Sequence, residues 1–388
     1  MIAITAASLL TPREKIDGPL VIIEDGKIAE VASRAGRAVP ENTRLVDFGD
    51  GVLAPGFVDL HIHGSGGHDV MESDPDAMRV VEEFLPGHGV TSYFPTTVTA
   101  PVDKILGALE RIAGAIEAAE GETGRVRARP LGIHLEGPFI SHVRRGVHPP
   151  ESLLPPTPDM FERFWQAARG HIRVMTIAPE LDGAIEVIEI AVSRGVCVSL
   201  GHSDADLDAT RRGVKAGARH ATHTFNAMRP LGHRDPGILG EVLTDSRVTA
   251  DVIVDGVHLD PTIVDLFLKA KGPELAVLIT DAISATGMPD GRYQLGGLDV
   301  EVHDGKCLMN GSLAGSVLTM DRALRNVMKF GRWELQDAVR AASSNPAKAV
   351  GISDRKGAIV AGADADLVVL SSAGEVRNAI VKGKIAGE

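Results

Sequence analysis

The chain has 388 residues, of which 44% are hydrophobic and 24% charged, and its formal net charge is −12. A chain of this length buries a large core and suits one big domain with an appendage, and the composition excludes a disordered or fibrous protein. The acidic balance leaves no basic stripe to displace counterions from phosphates, so no nucleic-acid partner is expected.

Residues 1 to about 53 carry short alternating strands broken by turn signals such as Glu24-Asp25-Gly26, a β pattern without a long helix. The first ten residues have no basic n-region, and no later apolar run reaches the length of a membrane span. A cytoplasmic protein with no membrane partner is therefore expected. From Gly51 to Gly287 one unit repeats: an apolar run of strand length, a polar loop, then a stretch of helical periodicity such as 77–85. Eight such runs follow in order, at 52–63, 91–97, 131–136, 174–178, 196–202, 221–225, 249–254 and 275–281. Eight alternating β and α units predict an α/β fold, a parallel sheet with right-handed crossovers that closes into a (β/α)8 TIM-like barrel.

Ahead of the third run, Arg125, Arg127 and Arg129 read as a solvated loop. Cys197 and Cys307 lie far apart without a CxxC partner and read as reduced thiols, the first in a buried strand. A Gly-rich, strand-like insertion at 293–316 precedes helical segments at 318–330 and 335–342, after which 357–370 and 378–385 return to short strands. The simplest topology pairs both termini in one small β-sandwich domain, residues 1–53 plus 354–388, beside a barrel at 54–353.

In a barrel all C-terminal strand ends converge on one mouth, and several predicted strands end in a residue able to bind a divalent metal. His61 and His63 close the first run, and side-chain alternation puts both imidazoles on one face. Glu136 ends the third run, His202 the fifth, His223 lies in the sixth, and Asp281 ends the eighth. Neutral imidazole and carboxylate suit zinc or ferrous iron, and a Glu can bridge two ions. Singly, each has a bland reading: an HxH pair is more often structural, and a strand-end Asp is commonly a helix cap. Four histidines and two carboxylates at the ends of five different strands are harder to dismiss. By parity His134 shares the face of Glu136 and is a candidate to support it, and His220 also lies near a proposed ligand. His68, His88, His171, His233 and His303 fall in loops or helical stretches and read as surface or capping residues.

The order HxH, strand-end Glu, His, His, Asp resembles the amidohydrolase superfamily. Three stretches resemble the N-acetylglucosamine-6-phosphate deacetylase family within it: His134-Leu135-Glu136-Gly137-Pro138-Phe139, His223-Thr224-Phe225-Asn226-Ala227-Met228 and Leu313-Ala314-Gly315-Ser316. The resemblance covers nearly the whole chain, although Asn345-Pro346-Ala347 and the 362–367 segment are superfamily-wide and say little about substrate. It implies hydrolysis of the acetamide of N-acetylglucosamine 6-phosphate, in amino-sugar catabolism and recycling. His61, His63, Glu136, His202 and His223 would be metal ligands for one or two divalent ions, zinc or iron foremost and manganese or cobalt also accepted. Asp281 would be the general acid and base.

The same resemblance assigns Asn226, Ala227 and Arg234 to the sugar phosphate, and His148 to the acetamide oxygen or sugar. His258 would line the pocket, and Leu313, Ala314 and Gly315 would close over the sugar. It further implies a homodimer in which one subunit can lend a phosphate-binding residue to its neighbour. Some relatives lack the first-strand HxH and work with one metal, whereas this chain keeps both histidines and so has capacity for two. The lysine that other superfamily members use on strand four is absent from the predicted strand, which leaves Glu136 to bridge and disfavours a dihydroorotase-like or dipeptidase chemistry. The residues alone leave open that Asn226 caps a helix, that the loop histidines are solvated, and that the barrel is an inactive metal-binding scaffold.

Overall fold

The computed structural model describes residues 1–12, 14–120 and 124–387. Eight parallel strands make the barrel wall: β1 Phe57–Ile62, β2 Val90–Thr97, β3 Ile133–Glu136, β4 Ile172–Ile177, β5 Cys197–Leu200, β6 His220–Ala221, β7 Thr249–Ile253 and β8 Ala276–Ile279. Each pairs with the next in chain order. Past the end of β8 the wall returns to β1, where the Asp281 N–H donates to the His61 carbonyl (2.9 Å) and the His63 N–H to the Ala282 carbonyl (2.8 Å).

A helix follows each strand: α1 Ala77–Phe84, α2 Val102–Glu120, α3 Pro158–Ala167, α4 Ala184–Ser193, α5 Leu207–Ala216, α6 Gly237–Thr244, α7 Pro261–Leu275 and α8 Met320–Gly331. Their starts are written in the sequence. Thr157, Asp206 and Asp260 cap α3, α5 and α7 by accepting backbone N–H groups at 3.3, 2.7 and 2.8 Å, each cap stabilising its helix by about 1 kcal/mol. Outward-facing strand residues such as Val58, Leu60, Met175 and Leu200 are fully buried in the layer between wall and helices, with Val81, Leu109, Phe164 and Val242 of the helices in the same core.

Two differences from the sequence reading are physical. The predicted run 52–63 is two strands, because Gly56 breaks it: Val52–Pro55 joins the other domain and only Phe57–Ile62 enters the barrel. A side chain at Gly56 would lie 2.2 Å from Thr91 Oγ1, so only glycine lets the two strands meet there. The predicted fifth, sixth and eighth strands are also longer than the observed ones, and His202, His223 and Asp281 stand just beyond their strands with φ of 46°, 29° and 51°.

The chain termini build two further sheets. One orders Lys27–Ser33, Pro19–Glu24, Ile2–Thr5 and Arg44–Asp47; the other orders Lys384–Ile385, Val376–Val381, Leu367–Leu370, Val52–Pro55, Ser8–Leu10 and Lys15–Asp17. Ile4, Val21 and Ile23 of the first sheet share one core with Leu9, Leu53, Leu367 and Val369 of the second. Both ends of the chain thus enter one sandwich, Val52–Pro55 running antiparallel to Leu367–Leu370. We place the domain boundaries at 53/54 and 353/354 as a proposal; the strand Val52–Pro55 straddles the first of them.

The insertion is a four-stranded antiparallel sheet, Gly291–Leu295, Leu298–His303, Lys306–Met309 and Ser312–Leu313, whose inner face (Leu295, Val300, Val302, Cys307) packs on Val98, Ile283 and Ala285 beside the barrel mouth. Cys197 is partly buried, Cys307 is buried, and both are free thiols. The basic run is not all solvated: Arg125 is exposed, but Arg127 is largely buried and pairs with Glu83 at 3.3 Å. Among the described residues no helix is long and apolar enough to cross a membrane.

Candidate metal centre and active-site cavity

Alternation along each strand decides which polar residues enter the barrel. Asp59 of β1, His134 of β3, Thr176 of β4, Ser199 of β5, Asp251 of β7 and, just past β8, Thr280 are all fully or almost fully buried and form a hydrogen-bonded belt inside the wall. His134 donates Nδ1–H to the Leu60 carbonyl (2.9 Å) and its Nε2 meets the Thr176 hydroxyl (2.8 Å). Thr176 meets Thr222 (2.8 Å), which meets Ser199 (2.6 Å). Burial and the neighbouring His61 hold His134 well below the usual histidine range, so it is uncharged. His220 is likewise occupied at both ring nitrogens, by Thr249 (2.7 Å) and Asp251 (3.2 Å).

Toward the mouth, just beyond the belt, the pattern inverts. The Nε2 atoms of His61 and His63 approach each other to 3.1 Å, and those of His202 and His223 to 3.0 Å. Glu136 lies between the two pairs: its Oε2 is 3.4 Å from both His61 and His63, and its Oε1 is 3.3 Å from His202 and 3.1 Å from His223. Asp281 Oδ1 is 3.1 Å from His63 and 3.4 Å from His61. All six residues are buried.

The tautomers follow from the other ring nitrogens. His63 Nδ1–H donates to the Thr96 carbonyl and His202 Nδ1–H to the Arg144 carbonyl, each at 2.9 Å, which turns both Nε2 atoms into the cluster. Backbone contacts fix the ring-bearing residues as well: Asp59 accepts the His61 N–H (3.3 Å), and Asp251 accepts the His223 N–H. His61 and His223 have Nδ1 atoms that are buried without a hydrogen-bond partner.

Four imidazole Nε2 atoms crowded around two carboxylates make a poor protein interior and a good cation site. Although burial opposes it, Asp281 and Glu136 hold His63 at about 9, and Glu136 holds His223 at about 9. Burial pushes the Asp281 carboxyl up, but His61 and His63 outweigh it and hold it at about 2. Two buried anions thus draw positive charge into the cluster, which a divalent ion with N and O ligands would supply. The donor set fits such an ion, and the split of Glu136 between the two histidine pairs fits two.

A cavity of about 220 Å³ opens on this cluster. Of the residues the resemblance assigned to substrate, His148, Asn226, Ala227, His258, Leu313 and Gly315 line it. Ala314 is buried behind the wall, and Arg234 is exposed on the 230–236 segment; neither lines the cavity. Among the described residues no lysine or arginine lines it. His148 Nδ1 accepts the Thr99 N–H (3.2 Å) and lies 2.8 Å from its hydroxyl, so its proton sits on Nε2 and its ring is a donor rather than a metal ligand. Burial, then the nearby His202, holds His148 down at about 3, hence neutral. His258 Nδ1–H donates to Asp255 (2.7 Å). Asn226 caps no helix: its side-chain N–H donates back to the His223 carbonyl (3.2 Å), and α6 starts after Pro236.

Sequence reasoning missed Thr96, Thr99, Arg144, Asp59 and Asp251, the residues that orient the histidines. Asp59 and Asp251 had a signal, a carboxylate inside an apolar strand run. The others act through carbonyls or from loops and had none. Val98, Val147 and Leu295 were missed too; they give the cavity its apolar wall.

Residues 52–386 match the family model described as "Amidohydrolase family". The chain is 39% identical over 380 residues to an N-acetylglucosamine-6-phosphate deacetylase of Bacillus subtilis, covering 98% of this chain and 95% of that one. It is 36% identical over 382 residues to an N-acetylgalactosamine-6-phosphate deacetylase of Escherichia coli O157:H7, covering 98% of both. A mutant of the N-acetyl-D-glucosamine-6-phosphate deacetylase of Mycobacterium smegmatis, solved with N-acetyl-D-glucosamine-6-phosphate, superposes with a TM-score of 0.91 at 36% identity, covering 99% of this chain and 98% of that one. Barrel, sandwich and sequence agree: the chain belongs to the amidohydrolase family, among its N-acetylglucosamine-6-phosphate deacetylase relatives.

Proposed function

We propose that this enzyme hydrolyses the acetamide of N-acetylglucosamine 6-phosphate to glucosamine 6-phosphate and acetate, a step of amino-sugar catabolism. The observation that carries the reading is the cavity itself. One neutral imidazole donor, His148, lines the same cavity as Asp281 and brings its Nε2 to 3.8 Å from Glu136. The relatives' activities agree with it.

His61, His63, Glu136, His202 and His223 would hold one or two divalent ions, zinc or iron foremost and manganese or cobalt as alternatives. A bound cation supplies Lewis acidity and an activated water at neutral pH. Asp281 accepts the attacking water's proton and delivers it to the departing amine nitrogen, which leaves poorly unless protonated. His148 Nε2–H donates to the amide oxygen as negative charge develops there. Asn226 and Ala227 bind the phosphate end, His258 and Gly315 the sugar, and Leu313, with Ala314 behind it, closes the site to bulk water. Since no cation lines the cavity among the described residues, the phosphate's counter-charge comes from outside it. Exposed Arg234, lent to the neighbouring subunit of a homodimer, is our candidate. A cytoplasmic location belongs to the same proposal.

The test is acetate release from N-acetylglucosamine 6-phosphate, N-acetylgalactosamine 6-phosphate and unphosphorylated N-acetylglucosamine, assayed together with metal supplied. Turnover of the first, with at least about tenfold lower kcat/KM for the unphosphorylated sugar, is expected, since tenfold is about 1.4 kcal/mol of recognition. Release from none of them would return the substrate to another amide.

A further inference from the structure

At the opposite end of the barrel from the metal cluster lies a second, larger cavity of about 410 Å³. It sits where β3 and β4 begin, against the sandwich turn at 25–27, the 352–364 segment that leads into the sandwich, and Lys382 in the turn before the last strand. Six full cations line it: Lys27, Arg129, Arg173, Arg355, Lys356 and Lys382. Two carboxylates, Asp25 and Asp364, also line it, and Asp366 reaches Lys356 from just outside the lining, in a chain of net charge −12.

The existing anions are already engaged. Asp364 holds Lys27 at 2.6 Å and Lys356 at 3.0 Å, and Lys356, whose side chain is only 2% exposed, also pairs with Asp366. Arg173, Arg355 and Lys382 have no carboxylate within 4.0 Å among the described residues. Burial, then the charges of Arg129 and Lys356, pull the Lys382 ammonium below its ordinary value, as converging like charges should.

We propose that this junction cavity is a binding site for a small phosphate-bearing anion, separate from the catalytic cavity. Arg173, Arg355 and Lys382 converge on one concavity without a carboxylate partner among the described residues and repel each other, and a compact dianion relieves these repulsions at once. Arginine forks suit phosphate oxygens, and lysine adds a point charge. An extended polyanion fits poorly, because the lining is a concavity within an acidic molecule rather than a basic stripe. The ligand is inorganic phosphate or a phosphate monoester, and it would join barrel and sandwich, since its partners come from both.

Isothermal titration of the metal-loaded protein with inorganic phosphate and, separately, glucose 6-phosphate tests this. Wild type is compared with Arg355→Ala/Lys382→Ala at the junction and Asn226→Ala/His258→Ala in the catalytic cavity. The expected result is binding to wild type and to the catalytic-cavity variant, weakened about tenfold or more in the junction variant, with the loss shrinking as salt rises. Tighter binding of the monoester identifies a sugar-phosphate source, and tighter binding of the free ion identifies inorganic phosphate. Equal affinity in wild type and junction variant, or no binding to wild type at millimolar ligand, overturns the site. Should the double variant fail to fold, Lys382→Gln alters one exposed side chain, with a loss of about threefold or more expected and wild-type affinity overturning the proposal.

Discussion

The barrel interior holds two rings of buried polar side chains, and they obey opposite rules. In the belt, His134 and His220 have both ring nitrogens hydrogen-bonded, and Thr176, Thr222 and Ser199 continue the network. At the rim just above, His61, His63, His202 and His223 crowd their Nε2 atoms together around Glu136 and Asp281, and the Nδ1 atoms of His61 and His223 are buried without a partner. The belt stabilises the wall; the rim gathers N and O donors of the kind that suit a divalent cation. What distinguishes the two sets is what their ring nitrogens meet, since both are equally buried: the belt nitrogens meet hydroxyls, a carbonyl and Asp251, whereas the rim Nε2 atoms meet one another and two carboxylates.

Substitutions across the two rings give the contrast measurable edges. The largest effect is expected at Asp281→Asn, which preserves shape and removes the proton acceptor: kcat should fall by about 10³-fold or more with metal content retained. Wild-type-like kcat there would sink the proton-transfer role. His148→Phe, which removes the donor facing the rim, should lower kcat about 10²- to 10³-fold with metal content unchanged. If KM alone moved, His148 would be a sugar contact instead. Arg234→Ala, outside both rings, should raise KM for the phosphorylated sugar about tenfold with kcat nearly kept. Mixing it with Asp281→Asn subunits should recover part of the wild-type KM if the arginine is lent across a dimer, and an unchanged KM in the variant alone would dismiss it as a phosphate ligand.

The smallest effect on turnover is expected in the belt. His134→Ala leaves the Leu60 carbonyl and Thr176 hydroxyl without their partner and opens a cavity, so it should cost about 2–4 kcal/mol of stability while the folded fraction keeps its metal and kcat within several-fold. Metal loss without loss of stability would move His134 into the ligand set and erase the distinction between the rings.

Much of this was legible from residue order. The HxH pair, Glu136, His202, His223 and Asp281 were found because a parallel barrel brings all C-terminal strand ends to one mouth, so strand assignment alone puts them together. Their loop partners were harder. Thr99 and Arg144 act through geometry that no local pattern encodes, and Arg234 carries a family motif yet stands on the surface. The basic run illustrates the reverse failure: Arg129 looked like solvated loop and lines a cavity in which five other cations come from distant parts of the chain.

By itself the sequence determined the (β/α)8 barrel, the short-stranded character of both termini and the identity of the rim residues, because hydrophobic period and strand-end chemistry are local and survive any packing. Only the tertiary structure decided which histidines are satisfied, that Glu136 splits its oxygens between two pairs, that His148 presents N–H rather than a lone pair, and that six cations meet at the junction. Those are properties of atoms brought together across the whole chain, and hydrogen-bond partners and electrostatic neighbours at such separations leave no trace in residue order.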